Sequence, residues 1–324
     1  MKYRRLGNSG LRISEIGLGG WLTFGHVSNE QTGRELIDKA VGLGINFFDT
    51  ANVYAAGACE KMWGQLLNRY RRSSYVLATK VYFPMGDGPN DRGLSRKHIM
   101  EQCDASLKRL GTDYIDLYQC HRFDDKTPLD ETIRAMDDLV HRGKILYWGF
   151  SCWPADKIAE TFKICGDHLY SPVSSQPHYN MLMRDPEQEV LPTCIELGAG
   201  QVVFSPLEQG VLTGKYRPGR PLPATSRAAD DRQNQWIKGL VANENVLEHV
   251  ARLEAVADEA GCSIAQLSLA WILSRPGITS CITGATRPSQ IEENCGASGI
   301  ELSRDQLDRI DEIIMPATYS HDFT

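Results

Sequence analysis

The 324-residue chain carries 35 Lys and Arg against 41 Asp and Glu, a formal net charge of −6, with 42% hydrophobic and 23% charged residues. These are globular proportions, and the acidic balance gives no electrostatic reason to expect nucleic acid as a partner. No apolar run approaches the roughly 20 residues of a membrane span, so no membrane insertion is expected. The opening MKYRRLGNSGLRISEIGLGG lacks the apolar region of a secretory signal, so a cytoplasmic location is expected. The nine cysteines are odd in number and none has CxxC spacing, which signals neither zinc nor a disulfide framework.

The first eight residues and the following GLRIS form a predicted hairpin turned by GNSG, a plug for the floor of a barrel. Strands are then predicted at 15–20, 45–50, 75–80, 114–121, 145–151, 172–176, 200–206 and 279–285. Between them run segments of helical period, among them ELIDKAVGLG, HIMEQCDASLKRLG and ETIRAMDDLVHRG. Gly44, Gly111, Gly143, Gly198 and Gly261 stand where helices stop, glycine being the residue that most readily turns left-handed there. Ser263 and Ser303 each begin a capping box, SIAQ and SRDQ. Eight strands each followed by a helix predict a (β/α)8 TIM barrel, residues 1–324 as one domain, with an N-terminal β-hairpin. A doubly wound open sheet shares the alternation and is the second candidate. Two connections, 81–94 and 207–242, are too long for simple loops and are expected at the C-terminal mouth, where such barrels keep their sites.

Each predicted strand turns polar at its C-terminal end. Asp49, Lys80, His121, Ser151, Gln176 and Ser205 close the second to the seventh. Singly, each has a plain explanation: a turn residue, a solvated strand end, a hydrogen-bonded core histidine. Six in succession around one rim are harder to dismiss, and their chemistry is coherent. A tyrosine has a pKa of about 10 and donates a proton poorly at neutral pH. A nearby ammonium lowers that value, and a buried ammonium in turn needs a carboxylate. Asp49, Lys80 and Tyr54 supply such a chain, and His121 can hydrogen-bond a carbonyl. That is equipment for protonating an oxyanion during carbonyl reduction.

These residues lie in GINFFDTANVYAAGACE, which resembles the Gly-x-x-x-x-Asp-Thr-Ala-x-x-Tyr signature of the aldo-keto reductase superfamily. LGTDYIDLYQCH and GATRPSQIEEN are similar to two further segments of that superfamily. RRLGNSGLRIS, DTANVYAAG, RGLSRKHI, TPLDETIRAMDDLV and SPLEQGVLTGKY resemble most the branch of voltage-gated potassium channel β subunits and related bacterial reductases. The resemblance implies Tyr54 as proton donor, Lys80 lowering its pKa, Asp49 pairing with Lys80, and His121 orienting the carbonyl. Channel subunits carry Asn where His121 stands, so the full tetrad favours an enzyme.

No G-x-G-x-x-G occurs, Leu22 standing where the third glycine belongs, so a Rossmann site is not expected. The resemblance implies NADP(H) extended over the barrel mouth. Ser151 and Gln176 are to hold the carboxamide and Phe204 to stack on the nicotinamide. Gly20, Trp21 and Asp49 lie beside the ring. Ser205, Pro206, Leu207, Gln209 and Gly210 are to cover the pyrophosphate, with Lys215 and Arg227 as cations. Thr286, Arg287 and Gln290, at a helix start suited to an anion, are to meet the 2′-phosphate, and Gly284 is a further expected cofactor contact. Glu293 and Asn294 are to meet the adenine. Cys152 stands where channel subunits have Arg. The carbonyl substrate is expected among Trp21, Tyr54, Tyr82 and His121, with Phe83 nearby. The expected function is NADPH-dependent reduction of aldehydes or ketones. The alternative is an NADP(H)-binding redox sensor regulating a partner such as a potassium channel. Channel subunits form tetramers and other relatives are monomers, so a homo-oligomer is left open.

Overall fold

The computed structural model describes residues 1–25, 29–231 and 233–320. The chain opens with an antiparallel hairpin, β1 (Tyr3–Arg5) and β2 (Arg12–Ser14). Eight strands follow: β3 (Ile16–Gly19), β4 (Phe47–Asp49), β5 (Val76–Val81), β6 (Ile115–Cys120), β7 (Ile145–Ser151), β8 (Ser174–Gln176), β9 (Gly200–Val203) and β10 (Ile278–Thr283). They pair in chain order, all parallel, and β10 returns to β3, with Cys281 opposite Ile16 and Thr283 opposite Leu18. That last ladder closes the barrel and excludes the open sheet.

Every expected strand is present, and several are shorter than their apolar runs. The ladder over 200–206 ends at Val203, with one isolated parallel bridge from Phe204 to His178 before Ser205 takes a φ of 51°. The helix ends follow the expected chemistry. The five stop glycines all have positive φ, from 63° at Gly111 to 83° at Gly44. Both capping boxes form, Ser263 with Gln266 and Ser303 with Gln306.

Strand alternation decides what faces the barrel axis. Phe47, Val76, Ala78, Leu117, Val202 and Ile282 pack inside with Leu6 and Ile13 of the hairpin, so the hairpin does stopper the floor. Their neighbours Phe48, Leu77, Tyr118 and Val203 point outward into the larger core under the helices. Burial on both faces explains the continuous apolar runs. Going up the interior, this apolar layer gives way to Asp49, Lys80, Gln119, Ser174 and Gln176, all buried. The backbone between Lys80 and the mouth is tied across strands, with Thr50 N–H donating to Ala78 O at 2.9 Å and Asn52 N–H to Lys80 O at 3.2 Å. The connection after β5 and the one after β9 leave from the strands' C-terminal ends, as expected. Within 207–242, Arg232 lies outside the described residues; the rest is short 3-10 turns and a single helical turn, Lys238–Val241.

Candidate active site

Period-two alternation places Asp49 in phase with Phe47, and Lys80 in phase with Val76 and Ala78, so both carboxylate and ammonium point into the barrel. Lys80 is fully buried. Its Nζ donates to Asp49 Oδ2 at 2.6 Å, to Thr50 O at 2.8 Å and to Tyr54 Oη at 3.4 Å. An ammonium has three donors, and these three acceptors use them. Asp49 Oδ1 accepts from Gln176 Nε2 at 2.9 Å and from Gln119 Nε2 at 3.3 Å. The pair is therefore held from both sides.

Tyr54 is supplied by the loop after β4, at the start of a tight turn. Ala55 and Ala56 both adopt left-handed backbone, with φ of 50° and 51°, and Gly57 follows at 90°. A non-glycine residue in that region costs roughly 1–2 kcal/mol, so the turn is strained twice immediately beside the phenol. Gly57 cannot be replaced cheaply either, since a Cβ there would come within 2.7 Å of Arg109 Cδ. His121 comes from the end of β6, its N–H bonded to Val81 O at 2.9 Å. Its ring meets the Tyr54 ring edge-on at 5.7 Å and the Phe83 ring at 4.8 Å.

Burial raises the Tyr54 phenol above its ordinary pKa, and the Lys80 ammonium pulls against that rise. The lowering expected from Lys80 is thus present but outweighed by desolvation, and Tyr54 is a protonated phenol at neutral pH. Burial pulls the Lys80 ammonium down, but Asp49 and then Tyr54 outweigh it and hold Lys80 above its usual value. Burial, with Lys80 and Arg122 adding to it, holds His121 well below the usual imidazole range. His121 is therefore neutral across physiological pH.

Above these groups opens a cavity of about 1840 Å³. Trp21, Asp49, Tyr54, His121, Ser151, Gln176 and Phe204 line it at the barrel end. Ser205, Pro206, Leu207, Gln209, Gly210, Lys215 and Arg227 follow along one wall, and Gly284, Thr286, Arg287, Gln290, Glu293 and Asn294 along another. Lys80 lies beneath it, in contact with Asp49 and Tyr54. Besides Lys80, two expected residues do not line the cavity. A Cβ on Gly20 would point at Cys59 Sγ, 2.6 Å away, and it is Gly19, paired with Asp49 across the ladder, that faces inward. Tyr82 packs edge-on against Phe83 at 5.2 Å, and Phe83 takes the lining position.

At the outer end, Lys215, Arg227 and Arg287 form no ion pair with a carboxylate among the described residues. Burial lowers Lys215, and the charges of Arg227 and Arg287 add to the effect. Burial also lowers Arg227, whose Nη1 donates to Gln209 Oε1. In the adjoining segment Ser205, Glu208 and Gln209 all have positive φ. Within it Glu208 N–H donates to Ser205 O at 2.9 Å and Gly210 N–H to Leu207 O at 2.8 Å.

Sequence reasoning missed several groups at this mouth. Gln119 on Asp49 was readable, being in phase with His121 on the same strand. His178, stacked on Phe204 at 5.0 Å and bonded to buried Glu208 at 2.8 Å, is in phase with Gln176 in the same way. Arg122 and Trp236 come from loops and carried no periodic signal.

A closed (β/α)8 barrel with an Asp–Lys–Tyr array and a histidine at its C-terminal mouth defines a class, and sequence comparison names it. Residues 15–315 match the model of the Aldo/keto reductase family, and the chain belongs to that family. Its members are oxidoreductases that generally bind NAD(P)H and act on small carbonyl compounds. The chain is 43% identical to a probable voltage-gated potassium channel subunit beta of Arabidopsis thaliana, over 97% of each chain. It is 42% identical, over the same shares, to a protein so described in Oryza sativa subsp. japonica. Among the described residues, no helix is long and apolar enough to cross a membrane.

The buried pair generates a stability prediction. D49N leaves the Lys80 ammonium without its carboxylate and should cost about 3–5 kcal/mol at neutral pH, the scale for breaking a buried ion pair. The double variant D49N/K80M should recover a large part of that loss. The single variant's deficit should shrink at alkaline pH, where its unpaired ammonium sheds a proton. Urea denaturation of the three proteins measures this; equal stabilities for single and double variants would contradict it.

Proposed function

We propose that this chain is an NADPH-dependent reductase of aldehydes and ketones, with Tyr54 as the proton donor. The observation that carries the reading is the contact between Tyr54 Oη and Lys80 Nζ, 3.4 Å, at the floor of a cavity whose outer end holds three cations without carboxylate partners among the described residues.

The residues fit a phosphorylated dinucleotide. Lys215 and Arg227, beside the positive-φ turn at 205–209, suit a pyrophosphate, and Arg287 suits a 2′-phosphate. Gln176 commits its Nε2 to Asp49, and its side-chain oxygen accepts no hydrogen bond among the described residues. That oxygen is available to a carboxamide N–H. Ser151 Oγ donates to Gln176 O at 2.8 Å and fixes the neighbouring wall. The bound nicotinamide supplies the hydride.

The protein's own groups handle the oxygen. His121 Nδ1 is buried without a hydrogen-bond partner among the described residues. An orphaned N–H is rarer than an orphaned acceptor, which assigns the proton of the neutral ring to Nε2 and makes that atom a donor. Tyr54 and His121 then offer two donors to one carbonyl oxygen. As negative charge grows there, Tyr54 transfers its proton, and Lys80 stabilises the phenolate left behind. Asp49 keeps Lys80 charged, and Gln119 and Gln176 keep Asp49 in place.

The second reading is a regulatory subunit that binds NADP(H) and reports its redox state to a channel-like partner. The descriptions of the two plant relatives favour it. The two readings are compatible in one protein, and turnover separates them.

Y54F should fold and bind NADPH normally while losing at least about 10²-fold in carbonyl reduction, the lower range for general acid catalysis. Wild-type reduction should be flat between about pH 7 and 9, because Tyr54 stays protonated past the ordinary phenol value of about 10. Steady-state kinetics with an aromatic aldehyde check both; near-normal kcat in Y54F would remove Tyr54 from its role.

R287Q should weaken NADPH far more than NADH. A charge-assisted hydrogen bond contributes about 1.5–3 kcal/mol, roughly tenfold or more in Kd. Calorimetric titration with each cofactor measures the difference, and equal losses would place Arg287 away from the 2′-phosphate.

A further inference from the structure

Four cations line the cavity among the described residues, and the reading above uses three of them. The fourth, Arg122, stands at the catalytic end. Its Nη1 donates to the backbone oxygen of His121 at 2.7 Å, and its guanidinium carbon lies 5.6 Å from the centre of the Phe83 ring. Phe83 in turn touches His121, and His121 touches Tyr54. The cation is thus anchored on the residue that orients the reacting carbonyl, and its field is one of those holding the imidazole neutral.

The remaining walls at this end are aromatic. Trp21 and Trp236, the latter carried in by the long connection after β9, meet edge-to-face at 6.3 Å, and both line the cavity. An aldehyde whose oxygen meets Tyr54 and His121 has its body among Trp21, Trp236, Phe83 and Arg122. Flat aromatic faces suit a planar body. A guanidinium matches a carboxylate in plane and charge, by two parallel N–H bonds.

Resting on the reductase reading, we infer that the preferred substrates are planar aldehydes bearing a carboxylate, with Arg122 as the residue that selects the anion. In the reaction the aldehyde carbon gains the hydride and its oxygen gains the Tyr54 proton. The product is a hydroxymethyl carboxylate, and the acid group passes through unchanged.

The test compares 4-carboxybenzaldehyde with 4-nitrobenzaldehyde, a neutral compound of nearly the same shape. In R122Q, kcat/KM for the carboxylate should fall at least about tenfold more than for the nitro compound, the worth of one charge-assisted contact. The change should lie mainly in KM, and R122K should restore part of it. Calorimetric binding of benzoate to the NADP+-loaded protein gives a readout independent of turnover, and R122Q should weaken it to a similar degree. Unchanged selectivity together with unchanged benzoate binding overturns the inference. If wild-type protein reduces neither aldehyde, yet benzoate binds and R122Q weakens it, the reductase reading fails while the anion site stands.

Discussion

The buried ion pair between Lys80 and Asp49 is the constraint around which the mouth is organised. Removing two charges from water costs several kcal/mol each, and only close geometry with every remaining donor and acceptor satisfied offsets it. Here the ammonium has a carboxylate, a backbone carbonyl and a phenol, and the carboxylate has two amide donors. Those partners come from β4, β5, β6, β8 and the loop after β4. A change in any of them disturbs the rest, so the pair links barrel closure to the position of Tyr54. Such a pair is a poor source of net stability. A hydrophobic layer like the one below it would hold the barrel as well. Its physical justification is the charge it places under a phenol.

The same logic runs outward from the pair. Desolvation keeps Tyr54 protonated and His121 neutral, states in which each can still donate one hydrogen bond. The loop that presents Tyr54 holds two left-handed alanines against their preference, strain that persists because the surrounding contacts over-determine it. Farther out, cations without carboxylate partners among the described residues give the cavity a positive end suited to phosphates. The positive charge of Arg122 lies apart from that cluster, at the opposite side of the chemistry from the dinucleotide phosphates in the reading adopted here.

Much of this was legible before any coordinates, because the fold rests on local and periodic signals. Gly44, Gly111, Gly143, Gly198 and Gly261 marked helix ends through a backbone conformation that few other residues adopt easily. Asp49, Lys80 and His121 stood out as polar groups at the ends of apolar strands, and alternation then told which way they point. The misses have equally physical causes. Gly20 was one residue out of phase with Gly19, and a one-residue slip reverses the face in any strand. The choice between Tyr82 and Phe83 falls just beyond the last paired residue of β5, where alternation no longer governs. Arg122 and Trp236 sit on connections whose shape depends on tertiary contacts. The net direction of the Tyr54 shift required the depth of its burial, which neighbouring residue types do not reveal.

The descriptions of the two plant relatives and the proposed reductase activity point to different uses of this mouth, and His121, the proposed second donor to the carbonyl oxygen, is where a test separates them. A preorganised donor at a developing oxyanion acts on rate more than on binding, and losing one typically costs about 10²–10³-fold. The most direct measurement is stopped-flow hydride transfer in a single turnover with saturating NADPH and an aromatic aldehyde, comparing wild type with H121N. The account predicts rapid NADPH oxidation in the wild type, a rate lower by roughly 10²-fold in H121N, and little change in cofactor affinity. Equal hydride-transfer rates in the two proteins, or no NADPH oxidation in the wild type, would contradict it.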